Sequence, residues 1–249
     1  MWEIASTERP RAFVLSHDGR DQSHVDLDDP TYLAFDYVRR MGDMVDAVAP
    51  AGVPMRVVHV GGAAMTLARY VAATRPTSAQ VVLEPDTEVT ELVRDELPLP
   101  RRSGIKVRPV DGASGVAALR DGQADLLVLD AYDEGRVPAS LVTVAHFEEV
   151  ARALAPEGLY LLNLSDRAPF AHTRRVVAGL RAVFSDVALG AEPATLRGRR
   201  DGNLLVLASR ASVPVAALRA QAARSPAPYK VLDAAQVSDS FGGGTVLTG

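Results

Sequence analysis

Hydrophobic and polar positions change their rhythm twice along the chain. Residues 1–27 read as a small β element: two runs, Arg11–Ser16 and Gln22–Leu27, flank HDGRD, whose Asp18-Gly19 pair suits the positive φ of a tight hairpin. Asp28-Asp29-Pro30 then predicts a helix start, with Asp29 as cap and Pro30 in the first turn. The helix is expected to run through TYLAFDYVRRMGDMVDAV and to stop near Pro50, with Tyr32, Phe35, Val38, Met41, Val45 and Val48 on one buried face.

After APAGVP, short apolar runs alternate with helical stretches. Strands are expected at Met55–Val60, Gln80–Glu84, Lys106–Val110, Asp125–Asp130 and Gly158–Leu164, and helices at Met65–Thr74, Thr87–Leu97, Gly115–Leu119 and Leu141–Leu154. Strands that are apolar throughout and alternate with helices imply a parallel sheet covered on both faces. The rhythm changes again at Phe184–Gly190 and Asn203–Ser209, two strand-like runs joined by AEPATLRGRRDG with no helix expected between them. They predict an antiparallel hairpin that finishes the sheet. The fold class is therefore α/β: a methyltransferase-type Rossmann sheet, parallel with an antiparallel terminal hairpin, preceded by a small N-terminal β-hairpin element. Three regions follow: a hairpin plus helix over 1–50, a Rossmann-like nucleoside-binding catalytic domain over 51–210, and a weakly patterned tail over 211–249. In the tail, Gly242-Gly243-Gly244 reads as a flexible segment, because no strand leads into it and no helix follows.

Composition narrows the function classes. The 249 residues suffice for one large α/β domain with a sizeable core. A net charge of −4 argues against nucleic acid, which needs a concentrated basic face. There is no cysteine, which excludes disulfides, thiolate nucleophiles and Cys-ligated zinc, and permits a cytoplasmic location. No stretch approaches the ~20 apolar residues of a membrane span, so no membrane association is expected; the start MWEIASTERPRAFVL does not read as a signal peptide. The five histidines show no metal-ligand spacing, so no metal is expected. His59, inside a strand, reads as a packed core residue, and Ser114 and Ser165 have no legible His–Asp partners for nucleophilic catalysis.

In open α/β sheets ligands bind beyond the carboxyl ends of the strands. Four such ends carry polar or glycine signals: Gly61-Gly62, Glu84, Asp111-Gly112, and Asp130 with Asp133. The glycines let backbone approach a ligand without a Cβ in the way. Glu84 lies at the distance along the chain at which a carboxylate reaches ribose hydroxyls. Asp111 can accept from an adenine amino group. The loop lacks G-x-G-x-x-G spacing, so an adenosine without phosphates fits better than a dinucleotide. Asp130 and Asp133 at a sheet mouth can hold a cationic amine, and one of them can act as a base, since close like charges raise one pKa. Each acid alone has a plain alternative: a strand-end acid can simply cap the next helix, and Asp133-Glu134-Gly135 can be a solvated turn.

Taken together, DGRDQSHVDLDDPTYL, HVGGAAMTLARY, VVLEPD, VRPVDGASGVAAL and DLLVLDAYDEGRVPASLVT resemble the spermidine synthase family, the aminopropyltransferases, over residues 13–209. The resemblance implies a small N-terminal β domain before a methyltransferase-like Rossmann domain. It implies transfer of an aminopropyl group from decarboxylated S-adenosylmethionine to a small-molecule amine acceptor, and a homodimer. By resemblance, Asp130 deprotonates or orients the attacking amine and Asp133 anchors it. Glu84 matches the ribose-binding acid, and Asp111-Gly112 the adenine-proximal pair. Gln22 matches the glutamine of the β domain, and Tyr32 the tyrosine of a Tyr-His-Glu motif.

The chain also departs from the pattern. Where the family loop reads Gly-Gly-Gly-Asp-Gly, with its aspartate on the donor's amino group, this chain has Ala64. The His-Glu after the tyrosine becomes Leu33-Ala34, and the proline after the second aspartate becomes Glu134. Loss of a charged hydrogen bond removes ~1.5–3 kcal/mol, enough to change a substrate when two are lost. Two alternatives stand beside aminopropyl transfer: a methyltransferase that uses S-adenosylmethionine itself, and a nucleoside-binding protein without catalysis.

Overall fold

The computed structural model describes residues 1–225 and 227–247. The chain divides into two compact units, Met1–Asp111 and Gly112–Gly249.

The first unit opens with an antiparallel sheet of β1 (Trp2–Ser6), β2 (Ala12–His17) and β3 (Arg20–Asp26) in that order. Asp18 and Gly19 take φ of 49° and 72° in the β2–β3 turn, as the sequence requires. Helix α1 (Asp36–Val48) follows, then β4 (Arg56–Val60), α2 (Thr66–Thr74), β5 (Ala79–Leu83), α3 (Thr87–Glu96) and β6 (Ile105–Arg108). β5 pairs in parallel with both β4 and β6. Leu15 and Val25 of the first sheet pack with Ala64, Met65, Ala68, Val82, Val89, Val93 and Leu97, so one apolar cluster ties β2 and β3 to α2, β5 and α3.

The expected helix start at Asp29-Pro30 is corrected: α1 begins at Asp36, and Phe35 in its cap position contributes no side-chain bond. The Asp26 carboxylate accepts the amides of Asp28 and Asp29 at 2.9 and 2.8 Å and also the Arg9 guanidinium. Asp29 in turn accepts the Thr31 amide at 3.1 Å. These bonds turn the chain where the sequence suggests a helix cap. The other end of α1 is closed from outside: Arg75, fully buried, donates to the carbonyls of Val45 and Ala49 and pairs with Asp46 at 2.8 Å.

The second unit contains α4 (Gly112–Ala117), β7 (Ala124–Leu129), α5 (Val144–Ala153), β8 (Leu154–Asp166), α6 (Ala171–Val183), β9 (Asp186–Ala191), α7 (Pro193–Leu196), β10 (Gly202–Ser209), α8 (Val215–Arg224), β11 (Lys230–Leu232) and α9 (Ala234–Phe241). β7 and β8 are parallel; β8–β10, β10–β9 and β9–β11 are antiparallel. The β9–β10 pair is the expected hairpin, with the short α7 inside its connection. It does not finish the sheet, because β11 of the tail adds to β9 through Leu189, Gly190 and Ala191.

The tail is thus folded over its described residues; 226, 248 and 249 lie outside them. Asp233 and Gln236 form a reciprocal capping box at the start of α9. Phe241 packs on Phe170 with ring centroids 5.4 Å apart, and Arg174 donates to the Gly242 carbonyl at 2.9 Å. Gly244 lies so close to the Arg174 backbone that a Cβ there would collide with it. Within the glycine triplet read as flexible, Gly242 and Gly244 are packed too closely for a Cβ, whereas Gly243 is exposed at a φ of 79°. Among the described residues, no helix is long and apolar enough to cross a membrane.

Candidate functional site

In the first unit, the four buried residues that end β4 lead into the turn Gly61–Met65. Gly61 takes φ 93°, open to glycine at little steric cost. Gly62 is required by space: a Cβ would stand 2.8 Å from Val82 Cγ1 and 3.1 Å from Glu84 Cβ. Ala63 and Met65 hold φ of 41° and 59°, left-handed conformations that cost a non-glycine residue energy. Neighbours brace this strained turn. The Ala64 amide donates to Ser23 Oγ at 3.3 Å, and the Thr66 hydroxyl to the His24 carbonyl at 2.9 Å. The buried Arg69 donates to the Ala64 carbonyl at 3.0 Å and also to the carbonyls of Leu97 and Pro98. Burial pulls the Arg69 guanidinium down to about 10.

Glu84 meets the same turn. Its Oε2 accepts the amides of Gly62 and Ala63 at 2.9 and 3.2 Å, and its Oε1 accepts the Asp86 amide at 3.0 Å. With two lone pairs per oxygen, these three bonds leave one acceptor position on Oε1. Asp86 caps α3 through the amides of Glu88 and Val89 and accepts the Trp2 indole N–H at 2.8 Å. Burial pushes its carboxyl up, but the indole and the two helix amides outweigh this and hold it below the ordinary range. The sequence reading did not single out Trp2 or Asp86 here. Asp86 directly before a helix is a cap signal, whereas its pairing with Trp2 spans 84 positions and leaves no local trace.

The remaining first-unit candidates are Gln22, Tyr32 and Asp111. Gln22 is half-buried, and its amide turns back to the Arg20 carbonyl at 3.3 Å. Tyr32 is 44% exposed, with the Arg9 guanidinium 4.2 Å over its ring and His24 at 5.7 Å. Asp111 is exposed at the end of the unit, past β6, which stops at Arg108. His59 is a core residue, as expected: burial lowers it to about 4, so the neutral ring donates to Gln80 Oε1 at 2.9 Å.

In the second unit, Gly112 is buried at the start of α4. Asp130, half-buried, follows β7 directly, and its Oδ1 accepts the Asn163 side-chain amide at 2.9 Å. Burial raises its pKa above the ordinary carboxylate range, and the Asn163 bond partly opposes this. The sequence reading attributed such a rise to a neighbouring carboxylate; burial is the cause instead. Tyr132 donates its hydroxyl to the Asn163 carbonyl at 2.9 Å. Asp133 is exposed on a two-residue hairpin turn, with its amide and carbonyl bonded to those of Arg136 at 2.8 and 2.9 Å. Glu134 and Gly135 fill the turn with φ of 48° and 78°. The two acids therefore occupy different environments: Asp130 is an anchored carboxylate with raised proton affinity, and Asp133 is a solvated one. Asn163, missed from sequence, sits in an otherwise apolar strand run, LLNL, where a lone amide is itself a signal.

A shallow groove bounded by Asp121, Glu148, Arg152 and Arg210 lies where β7 and β8 begin, at the end of these strands away from Asp130. Its arginines are already engaged, Arg152 with Asp121 and Glu149 and Arg210 with the Leu154 carbonyl. Among the described residues, no group of three His, Asp or Glu side chains is placed to hold a metal ion.

Parallel strands leading into an antiparallel run, with glycines and acids at the strand ends, define a methyltransferase-like α/β protein. Within that class the similarity runs to the spermidine synthase family. No model of a known protein family matches the chain. It is 28% identical over 143 residues to a polyamine aminopropyltransferase from Chromobacterium violaceum, covering 57% of this chain and 53% of that protein. A polyamine aminopropyltransferase from Neisseria meningitidis serogroup A is 24% identical over 201 residues, 79% of this chain and 72% of that one. The matched region thus spans about half the length of the first relative. Among solved structures, a probable spermidine synthase from Corynebacterium glutamicum superposes with a TM-score of 0.91 at 28% identity, over 100% of this chain and 92% of that one. Human methyltransferase-like protein 13, in complex with SAH, shares the fold at a TM-score of 0.58 and 21% identity, over 71% of this chain and 82% of that one.

Proposed function

We propose that the chain is an aminopropyltransferase that takes decarboxylated S-adenosylmethionine as donor and a small amine as acceptor. The observation that carries this reading is the likeness over the whole chain to a probable spermidine synthase, at a TM-score of 0.91. In the first unit Gly61 and Gly62 admit the nucleoside, and the remaining acceptor position on Glu84 Oε1 accepts a ribose hydroxyl. By resemblance, Asp111 and Gly112 are the adenine-proximal pair. Gln22 and Tyr32 belong to the same donor and acceptor surfaces by resemblance. Asp130 takes the proton of the attacking amine, for which a carboxylate of raised proton affinity is suited. Asp133 holds the acceptor's cationic end. The amine nitrogen forms a bond to the aminopropyl carbon next to sulfur, the carbon–sulfur bond breaks, and its electron pair stays on sulfur as neutral methylthioadenosine. A cytoplasmic homodimer completes the reading.

Ala64 favours a second reading. It is fully buried in the apolar cluster, so this turn offers no carboxylate to a donor's amino group. A donor that keeps its own carboxylate, S-adenosylmethionine, then has less reason to be rejected, and methyl transfer follows. Melting the protein with methylthioadenosine, S-adenosylmethionine and the decarboxylated donor ranks the donors, because stabilisation grows with ligand concentration over affinity. The proposal expects the decarboxylated donor to stabilise most, and methylthioadenosine release with an amine that Asp130→Asn abolishes. A preference for S-adenosylmethionine with methyl transfer overturns it.

A further inference from the structure

We propose that Asn163 and Asn203 are positioning residues for Asp130: the Asn203 amide fixes the orientation of the Asn163 amide, which fixes the Asp130 carboxylate. Three strands contribute. Asn203, half-buried on β10, donates its side-chain Nδ2 to Asn163 Oδ1 at 2.9 Å. Asn163, 1% exposed on β8, donates its own Nδ2 to Asp130 Oδ1, also at 2.9 Å, at the end of β7. The direction of these bonds follows from chemistry. An ionised carboxylate only accepts, so Asn163 must present its NH2 group to Asp130. Its Oδ1 then points to β10 and needs a donor, which Asn203 supplies. Turning the Asn163 amide over would set its oxygen against the carboxylate and its NH2 against the NH2 of Asn203. Buried amides left in such contacts are costly, so the chain of donors has one arrangement while Asp130 is ionised.

The consequence is a carboxylate held in place and favoured in its charged form against the burial that disfavours it. Among the described residues of the second unit, the ionisable groups next to it along the loop and at the end of the adjoining strand are Tyr132, the exposed Asp133 and Asp166. Tyr132 lies two residues on, and its phenol is pushed up by burial and by Asp130. On β8, Asp166 is three positions past Asn163 and is engaged by the amides of Arg167 and Thr173 and the Thr173 hydroxyl. β10 carries no ionisable side chain over Gly202–Ser209. The difference in Asp130 titration between the wild type and variants of the two asparagines therefore reads their contribution.

This inference deepens the aminopropyltransferase reading and rests on it for its catalytic meaning, but its test does not depend on turnover. The 13C resonance of the Asp130 carboxyl, titrated in the full chain, gives its pKa in the wild type, Asn203→Ala and Asn163→Ala. Loss of the direct donor in Asn163→Ala is expected to raise the Asp130 pKa by about one unit. Asn203→Ala, at a half-buried position that tolerates truncation, is expected to raise it by less, in the same direction. If Asn163→Ala does not fold, Asn203→Ala decides. Where methylthioadenosine release is measurable, the acidic limb of its pH profile moves up by the same amounts. An Asp130 titration unchanged in the folded variants overturns the inference even if aminopropyl transfer is found. Shifted titrations with no turnover on any amine support it and count against the functional reading alone.

Discussion

Glu84 is the residue at which sequence and structure overlap most. Its position after a strand makes it the ribose-ligand candidate of the sequence, and the structure gives it a task that no spacing reveals. Three backbone amides, from Gly62, Ala63 and Asp86, rest on its two oxygens and hold a turn with two strained non-glycine residues. Glutamine at this position keeps the carbon skeleton but offers one acceptor oxygen and an NH2 group. Whichever way the amide turns, at least one of the three amides loses its acceptor. Glu84→Gln is expected to destabilise the protein by about 1–3 kcal/mol, seen as a lower urea midpoint with unchanged slope. The same variant should weaken methylthioadenosine binding in calorimetry. A variant as stable as the wild type would mean that the turn holds itself. Ala64 shows the limit of the residue-level reading: its identity was legible, but its burial among Leu15, Val82 and Val93 was not, because those neighbours come from β2, β5 and α3.

At the level of elements, the alternating strands and helices from Arg56 to Leu129 were legible because apolar residues recur on their covered sides, down to Ile105 and Val107 of the half-covered β6, and burial of that kind writes a period into the sequence. Connections held by carboxylates leave no period. The segment after β3 looked like a helix start because Asp-Asp-Pro is a cap signature, yet Asp26 takes the amides that would have opened the helix. Asp26 has a pH consequence. Burial raises its carboxyl, but the Arg9 guanidinium and the amides of Asp29 and Asp28 outweigh this and leave it below the ordinary range. A carboxylate of lowered folded-state pKa contributes stability above its unfolded value of about 4, and that contribution is lost as pH falls through the folded value. The wild type should therefore lose urea resistance as the pH falls below about 4. Asp26→Asn should be less stable at neutral pH and show a flatter acid limb. An acid limb unchanged by the substitution would place the pH dependence elsewhere.

Across the whole molecule, the least legible part is what completes the second unit. The tail's pieces are short: a three-residue strand, an alanine-rich helix with Leu218 as its buried anchor, and a helix of eight residues. Each is too brief for a periodic signal, and each is stabilised by distant partners in the sequence. β11 adds to β9, Arg174 of α6 binds the Gly242 carbonyl, and Phe241 packs on Phe170. The terminal hairpin was read correctly as antiparallel and wrongly as the edge, because an edge strand and a covered strand have similar sequences. That difference is testable. A chain ending at Arg210 leaves the β9 backbone at Leu189, Gly190 and Ala191 unpaired and uncovers Phe170. Exposed strand edges next to apolar surface pair with other copies, so the truncated chain should self-associate on size exclusion and melt lower than the full chain. Phe241→Ala separates the two effects. It keeps β11 on the edge but removes a buried aromatic ring, which costs about 3–5 kcal/mol. The melt should therefore fall without self-association. A truncated chain that runs and melts like the full one would show that the tail only decorates a unit already complete at β10.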